Sequence, residues 1–347
     1  MDRRWRIDGY PMDEKKITNA LTLAAGVAGL ALAGGLLRRR SRFDLEGKVV
    51  LITGGSRGLG LVLARQFAAE NARVVICARD KVELDRAHRD VLEQGADVRS
   101  YACDITDPEA VQQMVDEIGQ IDVLVNNAGI IQVGPLDTMT AEDFQRALRT
   151  HFWGPLNTIL AVVPQMRVRK AGRIVNISSV GGKVSVPHLL PYSASKFALV
   201  GLSKGLRSEF RKDGISVTTV CPGLMRTGSP RNAEFKGKHR SEYTWFSISD
   251  SLPFISINAE RAASQIIEAT KEGRAELTIS IPAKIAVLSD ALFPEFTAGL
   301  LSLVNDFVLP ETSMRTSSAK GKDSTSFWSP SLLTALSEKA ALKNNEI

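Results

Sequence analysis

Apolar and polar positions follow two periods along this chain. From Gly47 onward, short β-branched apolar runs recur at Lys48–Thr53, Arg73–Ala78, Val98–Cys103, Ile121–Asn126, Arg173–Ser178, Ile215–Cys221 and Glu276–Ile279. Between them lie amphipathic stretches at Leu59–Glu70, Lys81–Gln94, Pro108–Ile118, Ala141–Met166 and Tyr192–Lys212. Strands that are apolar without alternation must be covered on both faces, and intervening helices supply that cover. The pattern predicts a doubly wound α/β domain over residues 44–280, with a mostly parallel seven-stranded sheet and helices on both faces.

Four regions depart from this rhythm. Ile17–Leu37 is 21 residues without a charge, followed at once by Arg38-Arg39-Arg40-Ser41-Arg42. About 20 apolar residues cross a bilayer as a helix, and flanking arginines mark the cytoplasmic side. Ala25, Gly26, Gly29 and Ala33 add small residues at spacings that suit close helix contact in lipid. We read residues 1–43 as an N-terminal segment whose hydrophobic helix at 17–37 attaches the chain to a membrane, spanning it or lying on it. The α/β domain that follows is then expected to face the cytoplasm. Residues 228–256 form a long polar and aromatic insertion expected to act as a lid. Residues 281–310 are an apolar C-terminal helical extension that caps a pocket, joins a dimer or lies on a membrane, with ordinary packing favoured. Residues 311–347, rich in Ser, Thr and Lys, are expected to be disordered in part.

Charge narrows the choice of partners. The net charge is +6, but residues 1–48 hold ten Lys/Arg and six Asp/Glu, so +4 of it sits beside the apolar run. A nucleic-acid partner would require a basic surface on the folded domain, so none is expected. Cys77, Cys103 and Cys221 fit neither a disulfide framework nor a zinc site, and no His/Cys/acid cluster suggests a metal.

The chemistry begins where the first predicted strand ends. Thr53 runs into Gly54-Gly55-Ser56-Arg57-Gly58-Leu59-Gly60 and then a helix pattern, the context of a phosphate-binding turn. At the end of the second strand an acidic residue would chelate a ribose, but this chain has Arg79 there and Arg57 in the turn. Two guanidiniums and no carboxylate favour NADP(H) over NAD(H). Farther on, Tyr192 and Lys196 lie four apart on a predicted helix, where a cation beside a phenol favours phenolate and eases proton exchange. Ser179 lies thirteen residues earlier.

Together these motifs resemble the short-chain dehydrogenases/reductases, in the shorter branch of simple oxidoreductases with a Rossmann fold. Thr53–Gly60 resembles the family's cofactor turn, Asn126-Asn127-Ala128-Gly129 its NNAG motif, and Pro222-Gly223 its post-strand motif. Ser179, Tyr192 and Lys196 resemble its catalytic set. The resemblance implies that Asp104 and Ile105 border the adenine and that Thr227 binds the nicotinamide carboxamide. Asp104 could instead cap the next helix, and Asn126 could stabilise the sheet. Where many members carry a relay asparagine, this chain has His151, which could hold a water and exchange protons itself, or simply pack. The implied function is an NADPH-dependent, membrane-attached reductase of a lipophilic ketone such as a 3-oxo lipid, a 3-ketosphinganine-like base or a steroid, working as a homo-oligomer. The alternative is a tethered NADP(H)-binding sensor or scaffold with little turnover.

Overall fold

Each apolar run becomes a strand of one parallel sheet. In the computed structural model, which describes residues 42–311 and 316–347, the strands are β1 Val49–Thr53, β2 Arg73–Ala78, β3 Val98–Ala102, β4 Val123–Asn126, β5 Gly172–Ile177, β6 Ile215–Pro222 and β7 Glu276–Ile279. Their order across the sheet is β7-β6-β5-β4-β1-β2-β3, and every neighbouring pair is parallel. The order reverses between β1 and β4, so their carboxyl ends open a crevice of the kind that binds ligands.

The helices follow in chain order. They are α1 Gly58–Ala69, α2 Lys81–Glu93, α3 Pro108–Ile118, α4 Ala141–Leu148, α5 Gly154–Arg169, α6 Leu190–Phe210, α7 His239–Ser251 and α8 Ala259–Glu272. Leu51, Val75, Leu124, Ile174 and Val217 from alternate strand positions pack with Val111, Met114 and Val115 of α3 and Ile159, Val162 and Met166 of α5. Pleat alternation turns Val50, Ile52 and Ile76, also fully buried, to the opposite face. Both faces are therefore dry, which explains strands without polar alternation. All three cysteines are free and buried.

Three expectations change. The stretch 141–166 is not one helix: a π-helical turn at Arg149–Trp153 separates α4 from α5 and carries His151. Such turns often re-aim a side chain at a functional site. The insertion 228–256, read as a lid, is closely packed in this structure. Phe235, Tyr243 and Phe246 form a cluster with Val133 and Leu189, and Lys236 donates to Asp143 at 2.6 Å. Residues 316–347, expected to be partly disordered, are ordered: they contribute a short strand at Ala319–Lys320 and helix α11 at Ala335–Lys343. Their hydroxyls find partners that composition does not reveal. Ser329 pairs with Ser247 at 2.7 Å, and Ser337 accepts from Ser251 at 2.8 Å.

Between these regions, helix α9 (Ile281–Leu292) and helix α10 (Pro294–Phe307) form a pair. Ile281, Ile285, Leu288 and Leu292 on the first, and Phe296, Leu300, Leu303 and Phe307 on the second, are exposed. The anchor expected at 17–37 lies outside the described residues, and no helix among those described is long and apolar enough to cross a membrane.

Candidate active site

The turn after β1 is held from beneath. Thr53 is fully buried, and its hydroxyl oxygen accepts the N–H groups of Asn127 at 3.0 Å and Ala128 at 3.1 Å. Asn127 Nδ2 in turn donates to the carbonyls of Thr53 and Gly54, at 3.0 and 3.1 Å. The cofactor turn and the NNAG motif are thus one hydrogen-bonded unit across two neighbouring strands. Gly60 must be glycine because a Cβ there would stand 2.0 Å from the Gly54 carbonyl oxygen. At Gly54, with φ of +63°, it would stand 2.7 Å from the Cα of Ala128. A backbone this bare, at the start of α1, whose N-terminus has no side-chain cap, suits the phosphates of a dinucleotide.

The expected cofactor residues divide into two groups. Thr53, Gly54, Ser56, Arg57, Gly58, Leu59 and Gly60 surround the turn, with Ala128 and Gly129 beside it. Thr227, nearly buried, comes close to Gly58: a Cβ on that glycine would lie 3.9 Å from Thr227 Cβ. The two arginines are both paired, Arg57 with Glu83 at 2.9 Å and Arg79 with Asp104 at 3.7 Å. Asp104 also accepts from the backbone and hydroxyl of Thr106, both at 2.9 Å, so it shapes its own turn. Ile105 points into the core, and Pro222 ends β6, after which the Gly223 N–H donates to Ile279 O at 3.0 Å. Asn126 turns away from the crevice. Its side chain donates to Asn176 at 2.9 Å and accepts from Thr158 at 2.6 Å, within a buried chain that runs on through Ser203 to Thr219. Asn127, one residue on, is the turn-holding asparagine, and the pleat decides between them.

The proton chemistry sits on α6 and the loop after β5. Tyr192 and Lys196 share one face of α6, with Lys196 Nζ 5.6 Å from the tyrosine ring centroid. The ammonium donates to Ile177 O at 2.9 Å, and burial pushes its pKa down to about 8. Burial raises the Tyr192 phenol above its usual value, and a hydrogen bond with Ser179 works against that rise. Desolvation therefore outweighs the Ser179 hydrogen bond here, and the raised value favours the protonated phenol. Ser179 is itself fixed at the start of a short turn, its hydroxyl accepting the Gly181 N–H at 3.0 Å.

His151 completes the cluster without being free to exchange protons. Its Nε2 accepts the Ile130 N–H at 3.1 Å, so Nδ1 carries the hydrogen and donates to Ser195 Oγ at 2.7 Å. Ser195 passes its own hydrogen to the Tyr192 carbonyl at 2.7 Å. Burial, and after it the Lys196 charge, hold the imidazole pKa well below its ordinary range. A neutral ring engaged at both nitrogens positions the loop after β4 against α6. Among the described residues there is no cluster of side chains that could hold a metal.

An open parallel sheet, a glycine turn at its switch point and a Ser–Tyr–Lys set with a buried lysine and a half-buried serine and tyrosine define a dinucleotide-dependent oxidoreductase. The family profile described as short chain dehydrogenase matches residues 48–236. A dehydrogenase/reductase SDR family protein 7-like from Anopheles gambiae is 40% identical over 204 residues, 56% of this chain and 64% of that protein's length. A putative ketoacyl reductase from Streptomyces coelicolor is 33% identical over 71% of this chain and 95% of its own. Among solved structures, a gluconate 5-dehydrogenase from Burkholderia cenocepacia in complex with NADP and tartrate is 29% identical, with a TM-score of 0.62 over 70% of this chain and 98% of that one. The chain belongs to the short-chain dehydrogenase family, whose members are NAD(P)-dependent oxidoreductases acting between alcohols and carbonyls.

Proposed function

We propose that this protein is an NADPH-dependent reductase of a lipophilic ketone, held at a membrane. The observation that carries the chemistry is the half-buried Tyr192 set beside Ser179 and the buried Lys196, where desolvation holds its phenol above the ordinary pKa. A reductase needs an acid at this position rather than a phenolate. Relatives described as ketoacyl reductases, and a structural neighbour described as a polyketide ketoreductase with NADPH, support that direction.

When bound, the dinucleotide supplies the hydride. Everything else is done by residues of this chain. The glycine turn and the N-terminus of α1 hold the diphosphate, and Arg57 and Arg79 are the cations available for a 2′-phosphate. Ser179 donates to the substrate carbonyl and orients it. Tyr192 gives its proton to the carbonyl oxygen as the alcohol forms. Lys196, in its ammonium form, supports the resulting phenolate, and its pKa, lowered to about 8 by burial, lets it return a proton. His151 acts through position, holding Ser195 and the Tyr192 backbone.

The membrane reading rests on two features of the chain. One is the uncharged run 17–37 with its arginines, and the other is the exposed apolar stripe along α9 and α10. In a monomer that stripe lies against water, and a lipid surface beside the anchored domain would cover it. It also accounts for the lipophilic substrate class. The test is NADPH oxidation by the purified chain against a panel of long-chain 3-oxo lipids, ketosphinganine-like bases and steroids. Turnover with one class is expected, with Tyr192→Phe slower by roughly 10²–10⁴-fold at unchanged NADPH affinity. A Tyr192→Phe protein working at the parent rate would refute the assignment, and tight NADPH binding without turnover on any ketone would favour a sensor.

A further inference from the structure

The segment that composition marks as disordered lies on the cofactor turn. Helix α11 is docked on α7 and on the loop after β6. Glu338 pairs with Arg231 at 2.6 Å, Ser251 donates to Ser337 at 2.8 Å, and Ala341 is packed so tightly on Gly228 that a Cβ there would stand 2.4 Å from its Cα. Beyond the helix the chain crosses the glycine turn. The Gly58 N–H, first in α1, donates to Asn344 O at 2.9 Å. Asn345 Nδ2 donates to Ser56 O at 2.7 Å and Glu83 O at 3.0 Å, while its Oδ1 accepts from Arg86 at 2.7 Å. The Glu346 carboxylate stands 3.5 Å from Arg57 Nε and accepts from Asn232 at 2.6 Å. A Cβ on Gly58 would meet Glu346 Oε1 at 2.6 Å, so the carboxylate rests on the bare backbone of the turn.

Among these are groups a bound dinucleotide needs: a helix N-terminal N–H and the face of Gly58 toward Thr227 for its diphosphate, and the turn arginine for its 2′-phosphate. A backbone carbonyl and a carboxylate fill them, offering negative potential where phosphate oxygens would. We propose that residues 341–347 are an autoinhibitory segment, competing with NADP(H) for the diphosphate subsite. Because α11 carries the segment and is fastened to α7, the segment leaves the turn when α11 leaves α7. The inference rests on the NADP(H) reading above and adds its regulation: whatever draws α11 off α7 raises cofactor affinity without touching Ser179, Tyr192 or Lys196.

The experiment is a titration with NADPH, followed by energy transfer from protein tryptophan, of the full chain, a chain ending at Ala340, and full-length Asn345→Ala/Glu346→Ala. If the segment is docked about nine-tenths of the time, the shortened chain binds roughly tenfold more tightly, with the double variant between. Hydrogen exchange adds a readout in the unaltered protein: saturating NADPH should speed exchange of the 341–347 amides. Equal affinity in all three forms, weaker binding in the shortened or double variant, or slower exchange at 341–347 with NADPH overturns the autoinhibition while leaving the cofactor reading standing. If no form binds NADPH, both fall. Should the shortened chain fail to fold, the double variant and the exchange measurement decide.

Discussion

Replacing Thr53 with valine removes one oxygen and leaves the shape. In the native fold that oxygen accepts two N–H groups, from Asn127 at 3.0 Å and Ala128 at 3.1 Å, and the threonine is fully buried. Valine fills the same volume, so no cavity opens and no strand packing is lost. What remains is two amides with no acceptor, each costing about 1–3 kcal/mol if water cannot reach it. Asn127 and Ala128 are half-buried, so the lower half of that range applies and the sum is about 2–4 kcal/mol. That is a large part of the roughly 5–15 kcal/mol that holds a typical domain folded. Urea unfolding followed by far-ultraviolet circular dichroism should show a lower midpoint at unchanged slope. Thr53→Ser, which keeps the acceptor, should stay within about 1 kcal/mol of the parent. Because the same two amides place Ala128 against Gly54, NADPH binding should weaken together with stability. A Thr53→Val protein as stable as the parent, with unchanged NADPH affinity, would show that the hydroxyl does not tie the turn to β4.

Two further outcomes follow from charge and surface. Burial lifts the Glu346 carboxyl to about 7, with Arg57 and Asn232 opposing and Glu83 assisting. It lifts Asp250 to about 8, against hydrogen bonds from the Met225 N–H and Ser337 and the charge of Arg226. Both values lie above those of the free side chains, so the docked segment binds more protons than the released one. Its stability is full below about pH 4 and is lost as pH rises through 7 and 8. Between pH 5 and 8 the opening free energy of the 335–347 amides, from hydrogen exchange corrected for intrinsic rates, should fall by about 2–3 kcal/mol from Glu346 alone and further to the extent that opening exposes Asp250, and a flat or rising profile would contradict this. On the surface side, a chain shortened to residues 43–347 should still co-float with phospholipid vesicles through α9 and α10. Leu288→Glu/Phe296→Glu should cut that partitioning by roughly 10²–10⁴-fold, since each large apolar side chain contributes about 1.5–3 kcal/mol when buried, and equal flotation would remove the hairpin from the membrane reading.

Periodicity alone located the seven strands to within a residue or two, because each must be apolar throughout to lie between two helical layers. The glycine turn was equally legible, since only a backbone without Cβ atoms brings Gly60 against Gly54. Local pattern could not show the π-helical turn that divides 141–166, because its benefit is the seating of His151 on Ser195 and Ile130, residues distant in sequence. Nor could it tell Asn126 from Asn127: identical neighbours are sent to opposite sides by the pleat, one into the sheet and one under the turn.

Residues 316–347 show the limit most plainly. Serine-rich composition reads as disorder when each hydroxyl is counted as solvated, yet Ser324, Ser329 and Ser337 are buried with hydroxyl or carbonyl partners. Spacing put Tyr192 and Lys196 on one helical face and suggested a lowered phenol pKa. Desolvation turned the shift upward, outweighing the Ser179 hydrogen bond, while the ammonium, 5.6 Å from the ring centroid, is engaged by the Ile177 carbonyl. The sequence by itself determined the architecture and which residues could do the chemistry, since both depend on period and residue type. Only the tertiary structure decided the protonation of Tyr192 and what rests on the cofactor turn, because burial and contacts between distant segments arise only once the chain is packed.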